Sequence, residues 1–516
     1  MLNTELVPAT SNRVLRATVV RSQTTIADAL VPAPAQVDNG DEARYPDKSG
    51  TYTKGVLQSG IGVVDPAAYK TFKHALSTGA QADFNKIPLG GPRTLNGPEG
   101  GLAFYLDCLD ASQFVVPPAP ALESEAYATE LIELYWASLL RDVAFTDYAG
   151  NGTAADAVTE LTALPKYAGP KDSTNKVTPD LLFRGRFVGE TDGPYISQFL
   201  LQRTALGALP IDQKYFTYPA KNFAITDVDF QKVQNGQVLQ GPPASGTPLY
   251  LHNGRGLAAL THDDVLYQHY LIAHLVLNTI ECPLNPGNPY VGSKVENGFP
   301  TLGQPDIAAT LAAVANEALK AVWYHKWFVH LRHRPESGGA IVELIKTGRG
   351  NTINGKVSPT VLNSHAVKAS FIANNSNSYY LSQAFPEGSP THPAYPTGHG
   401  TVAGACITAL KFFFKGDFSI PRPVMPAADG KSTPPYTAPA GHELKVNGEL
   451  NKLARNISFG HGIHAGIHWR SDTDTSIQLG EAVALSFLRD RAPTYNEKFT
   501  VSLQKVDGTT ATISHH

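Results

Sequence analysis

Nine residues, His392-Pro-Ala-Tyr-Pro-Thr-Gly-His-Gly400, hold two histidines, two prolines, two glycines and a threonine just ahead of an apolar stretch. A Pro-Thr-Gly-His turn that feeds a helix presents unpaired backbone N–H groups, a hydroxyl and an imidazole to one point, which is the chemistry of an oxyanion site. The competing reading is a plain helix start with two structural histidines. Three other segments carry groups of the same kind. Lys326 and Arg334 precede Pro335; on a continuous helix two side chains eight residues apart lie roughly 80° apart and two turns along the axis. They converge on one anion only if the helix unwinds near Pro335, and otherwise form a solvated basic helix end. In His468-Trp-Arg-Ser-Asp472 the carboxylate sits where, on a helical turn, it hydrogen-bonds the ring and fixes its tautomer. Finally, His461, His464 and His468 fall at i, i+3 and i+7, one face of an unbroken helix.

The elements that must position these groups read mostly as helices. Ile307, Leu311, Val314, Ala318 and Val322 step at helical spacing into Trp323-Tyr-His-Lys326. Gly400 to Phe414 is a helix whose glycines and alanines let another helix approach closely, and it ends before Gly416. Segments 448–466 and the stretch through Leu479, Ala482, Ala484 and Leu488 are the last two helices, the final one capped by Ser471 with Asp474. Upstream, 66–76 and 122–145 are helical, and Thr261-His-Asp-Asp264 reads as a capping box opening a helix through Val265, Leu266, His269 and Val276. The expected organisation is an irregular arm over 1–60, a helical half without motifs over 61–290, a helical bundle with the site over 300–492, and a polar tail over 493–516. The fold class is all-α, two packed helical bundles joined by long Pro/Gly-rich loops.

Composition narrows the function. Of 516 residues, 42% are hydrophobic and 17% charged, and the formal net charge is -3, a globular balance that gives no reason to expect nucleic acid or an anionic membrane as partner. Cys108, Cys282 and Cys406 are too few and scattered for a disulfide framework. No basic-then-apolar leader and no long apolar window is legible, so the reading is cytoplasmic.

Taken in order, Lys326 to Arg334-Pro, Pro396-Thr-Gly-His399 and His468 with Asp472 resemble the vanadium-dependent haloperoxidases and the acid phosphatases of their superfamily, whose signature runs Lys…Arg-Pro, Pro-Ser-Gly-His, Ser-Arg-x5-His-x3-Asp. The extra His392 and the Lys-to-Arg spacing are similar to the bromoperoxidase branch. The length and aromatic-rich N-terminal half look like actinomycete enzymes of meroterpenoid biosynthesis, including the halogenation-independent isomerase of napyradiomycin-type pathways. The resemblance implies that Lys326 and Arg334 neutralise the oxygens of vanadate, that Gly398 donates its backbone N–H, and that Thr397 supplies the hydroxyl the family takes from serine. It implies His399 as acid/base, with Lys326 and His392 counted beside it as catalytic, His468 as the nitrogen bonded to vanadium, and Asp472 as its orienting carboxylate. Six residues before His468, where the family has its second arginine, stands Gly462; a one-residue shift puts His461 there, with His464 the other candidate substitute.

That departure sets the expected function: an isomerase performing an α-hydroxyketone rearrangement by histidine acid/base chemistry, with phosphate or no cofactor in the pocket. The alternative is a vanadate-loaded chloro- or bromoperoxidase using hydrogen peroxide and halide, and a second alternative is a non-catalytic homologue. The expected substrate is an apolar aromatic or terpenoid small molecule, and the expected assembly a homodimer.

Overall fold

A computed structural model of the chain describes residues 13–350, 353–374 and 377–516; the expectations for residues 1–12 of the arm lie outside the described residues. The helices that matter here are α1 (Arg13–Ala29), α2 (Glu125–Leu139), α3 (Gly254–Leu260), α4 (Gln268–Thr279), α5 (Gln304–Tyr324), α6 (Pro335–Lys346), α7 (Gly398–Phe413), α8 (Val446–Phe459) and α9 (Arg470–Arg491). The described strands are short and pair in twos, and the last pair, β1 (Phe499–Gln504) and β2 (Thr510–His515), is an antiparallel hairpin.

The helical periodicities were legible where burial is one-sided. All five apolar positions named on α5 are buried. α7 and α9 cross at the centre of the larger core, and glycine is what lets their backbones meet. A Cβ on Gly404 would lie 2.0 Å from the Ile477 carbonyl oxygen, and one on Gly480 would lie 1.9 Å from that of Thr401. That core joins α4, α5, α7, α8, α9 and the hairpin. A second core gathers α2, part of α6, Phe459, Ile463 and Trp469. The Pro-Thr-Gly-His segment lies where the two meet, with Tyr395 in the first and Ala394 in the second.

Four expectations change. The 1–60 arm contains α1, a helix with no buried residue, tied to the body where Gln113 donates to the carbonyls of Asp28 and Val31. The polar tail folds as the hairpin because Val501, Leu503, Ala511 and Ile513 alternate with polar residues and face the core. The capping box does not form: Thr261 is the C-cap of α3, α4 begins at Gln268, and the Asp264 carboxylate accepts from nearby His269 and from remote His399 instead. α9 is capped at Trp469 by Asp472, while Ser471 donates its N–H to Glu130 and Asp474 pairs with Arg455.

The hairpin is therefore part of the core. Ile513→Ala should cost about 2–5 kcal/mol, whereas Ser514→Ala on the exposed face should stay within about 0.5 kcal/mol; urea unfolding of the two variants gives the comparison, and equal losses would contradict the burial.

Candidate active site

Two turns wider than an α-helix deliver the cationic and imidazole groups. α5 continues into a π-helical turn, His325–His330, after which Leu331 takes the left-handed conformation at φ 43 and the chain runs extended to Arg334 at the start of α6. The unwinding that convergence requires is present. Lys326 Nζ donates to the carbonyls of Pro393 and Ala394 at 2.8 and 2.9 Å, and Arg334 Nε donates to that of His392 at 2.9 Å. Both cations thus grip the same segment just ahead of the Thr-Gly-His turn. Each is buried, and among the described residues neither has a carboxylate within ion-pair distance. Burial is the main reason both are held below their ordinary pKa, Arg334 at about 10, and for Lys326 the neighbouring Arg334 adds to it.

The imidazole of His468 is fixed on both sides. Its Nδ1 donates to Asp472 at 2.9 Å, so Nε2 carries a lone pair, which here accepts from Arg334 Nη1 at 2.8 Å. Asp472 in turn accepts from the Trp469 N–H at 3.0 Å and from Arg332 at 2.6 Å, and Arg332 reaches Glu130 at 2.9 Å. Burial, reinforced by Arg334 and Lys326, keeps the His468 and His392 rings far below the ordinary histidine pKa and therefore neutral. His392 also accepts from Arg334 Nη2 at 3.0 Å. Thr397 sits at the N-cap of α7 without capping it; its hydroxyl is buried and among the described residues has no partner. Gly398 opens the helix against the Trp323 ring.

The second π-helical turn, Gly460–His464, extends α8 by a looser coil that absorbs one extra residue. It brings His461 to the site: its ring lies 3.7 Å from that of His399, nearly parallel, and 5.8 Å from that of His468. His461 Nδ1 donates to the Thr261 carbonyl at 2.8 Å. The same turn rotates His464 away, correcting the shared-face expectation. His464 packs among Phe145, Phe183 and Tyr195, with Nε2 at 2.9 Å from the Tyr195 hydroxyl, and Gly462 lies against the His468 side chain. So His399, His461, His392, Gly398 and His468 line one cavity of about 280 Å³, and His464 does not.

The residues sequence reasoning missed come largely from the half read as without motifs. Asp264 accepts from His399 Nε2 at 2.8 Å and from His269 Nε2 at 3.0 Å, which draws its carboxyl well below the usual range. Arg93, Trp323 and a His262–Glu387 pair line the cavity as well. Pairing of Asp264 with His399 spans 135 positions, and no local pattern could announce it. The spacing of Arg332 before Asp472 was similarly silent.

Lys326, Arg334 and Thr397 are not among the residues lining that cavity; Arg334 stands behind it, bonded to His392 and His468. An imidazole-walled pocket at a helix N-terminus backed by buried cations suits an oxyanion-binding enzyme. The family described as the second helical-bundle domain of VCPO matches residues 306–493. A vanadium-dependent bromoperoxidase of Corallina officinalis is 31% identical over 96% of this chain and 97% of its own length, and one from Ascophyllum nodosum is 30% identical over 92% and 87%. The solved homohexameric vanadate-dependent bromoperoxidase AnII of Ascophyllum nodosum superimposes with a TM-score of 0.92 at 27% identity, covering 97% of this chain and 90% of that one. The chain belongs to the vanadium-dependent haloperoxidase family. None of these relatives is an actinomycete enzyme or an isomerase.

His464 also provides a pH readout of the second π turn. Burial and Arg141 hold its imidazole down at about 3, against roughly 6.5 in an unfolded chain. Protonation then favours the unfolded state, so the contribution is complete above pH ~6.5 and is lost as pH falls toward the folded value. Replacing His464 by Gln should flatten the pH dependence of unfolding between about pH 6.5 and 4 by one proton, ~1.4 kcal/mol per pH unit. Urea titrations across that range measure it; an unchanged slope would contradict the buried, neutral ring.

Proposed function

We propose that this chain is a vanadate-loaded bromoperoxidase, oxidising halide with hydrogen peroxide. The observation that carries the reading is the pair Lys326 and Arg334, buried without a counter-charge beside a histidine lone pair. A buried cation is costly unless an anion or several dipoles compensate it, and here carbonyls do part of that work while the Thr397 hydroxyl stands without a partner. The donor set fits a highly charged oxyanion: two cations, a helix N-terminus, a hydroxyl and one neutral nitrogen to fill an open coordination position. Lys326, Arg334, Thr397, the Gly398 N–H and His468 would hold vanadate, which when bound supplies the Lewis-acid centre for peroxide chemistry.

The protein residues then divide the remaining work. Asp472, itself held by Arg332, keeps the His468 proton on Nδ1 and the other nitrogen basic. His399, oriented by Asp264, gives or takes a proton at the reacting oxygen through its remaining nitrogen. His461 stands in for the second arginine of the family, contributing a neutral imidazole in place of a permanent charge. The relatives' names support peroxidase chemistry and lend nothing to the isomerase expectation. The exposed apolar residues of α1, Val14, Leu15 and Ile26, together with the homohexameric neighbour, support a homo-oligomer.

Bromination of a diketone acceptor should appear only with added vanadate, bromide and peroxide, and His399→Ala should lower kcat by about 10²–10⁴ while leaving vanadate bound. Conversion without vanadate, or none with it, would overturn the reading. His461→Arg should tighten vanadate by roughly ten- to a hundredfold, read by equilibrium dialysis; no change would remove His461 from the oxyanion's contacts.

A further inference from the structure

Away from the oxyanion pocket, a second cavity of about 380 Å³ is lined by Phe145, Tyr148, Arg184, Tyr195, Met425 and Tyr436 among others. The Phe145 and Tyr195 rings are stacked, 3.7 Å apart and within 11° of parallel. Arg184 is buried beside them, its guanidinium 5.3 Å over the Tyr195 ring. Its Nη1 and Nη2 donate to the carbonyls of Glu190 and Gly193, at 3.1 and 2.8 Å, and among the described residues its Nε has no partner. Among the described residues Arg184 has no carboxylate within ion-pair distance. Other buried guanidiniums have their charge or their donors met, although Arg332 too leaves its Nε without a partner among the described residues. Arg332, Arg455 and Arg470 pair with carboxylates, and Arg141, which also lacks one, has an acceptor for each of its three nitrogens.

A buried arginine in a cavity wall, with no carboxylate to offset its charge, calls for an anionic acceptor. Aromatic, proline and methionine walls exclude a bare hydrated ion and suit a flat ring. The one carboxylate lining the cavity, Asp180, is exposed and stays hydrated. We propose that this cavity is a binding site for a planar aromatic carboxylate, the carboxylate on Arg184 and the ring against Phe145, Tyr195 and Tyr436. It is separate from the oxyanion pocket and does not depend on the peroxidase reading. Tyr195 joins it to the second π turn through the hydroxyl that meets His464.

Benzoate titrated into the full-length chain, followed by saturation-transfer NMR, tests the site, with benzamide as the uncharged counterpart. Saturable benzoate binding is expected, weakened roughly ten- to a hundredfold by Arg184→Gln or by the change to benzamide, weakened by Tyr436→Ala, and unchanged by His468→Ala. Should Arg184→Gln fail to fold, benzamide and Tyr436→Ala still decide. Absence of saturable binding, equal binding of benzoate and benzamide, indifference to Tyr436→Ala, or loss of binding in His468→Ala would each overturn the proposal.

Discussion

Two buried cations without a carboxylate are the constraint from which the rest of the site follows. Lys326 and Arg334 are taken out of water, and the fold answers with main-chain carbonyls of 392–394 and 467, which are dipoles and not charges. Carbonyls leave a net positive potential in a low-dielectric interior, where an anion is worth far more than at a surface. Several other buried arginines of the chain are paired with carboxylates, as in Arg470 with Glu133 and Arg455 with Glu190. Around the Thr-Gly-His turn two buried positive charges lie side by side without a carboxylate.

Everything adjacent keeps that potential aimed. Arg332 and the Trp469 N–H hold the Asp472 carboxylate on the far side of His468, so it orients the ring and does not occupy the anion's place. Asp264 does the same for His399 from the other wall. The two π turns are the mechanical part: one ends α5 so that Lys326 and Arg334 face the same segment, the other widens the end of α8 so that His461 stacks on His399 and lies 5.8 Å from the His468 ring.

The groups that touch the proposed oxyanion were legible because each is tied to a short motif: Lys326 with Arg334-Pro, Thr397-Gly-His399, His468 with Asp472. The helices α5, α7 and α9 were legible for the same reason, a local repeat of apolar positions. What was hidden depends on through-space pairing. Asp264 looked like a helix cap because its neighbours have cap chemistry; its true partners, His399 and His269, outcompete that role. His464 looked equivalent to His461 because a regular helix would make them so, and only the wider turn separates them. The hairpin at 499–515 was masked by polar residues that occupy its outward positions alone.

The most direct test of the central claim is an anomalous difference map at the vanadium edge from crystals of the holoenzyme grown with orthovanadate. A single vanadium peak at bonding distance from His468 Nε2, facing Lys326, Arg334 and the start of α7, is the predicted result. A map with no vanadium there, or with the ion held by other residues, would contradict the account.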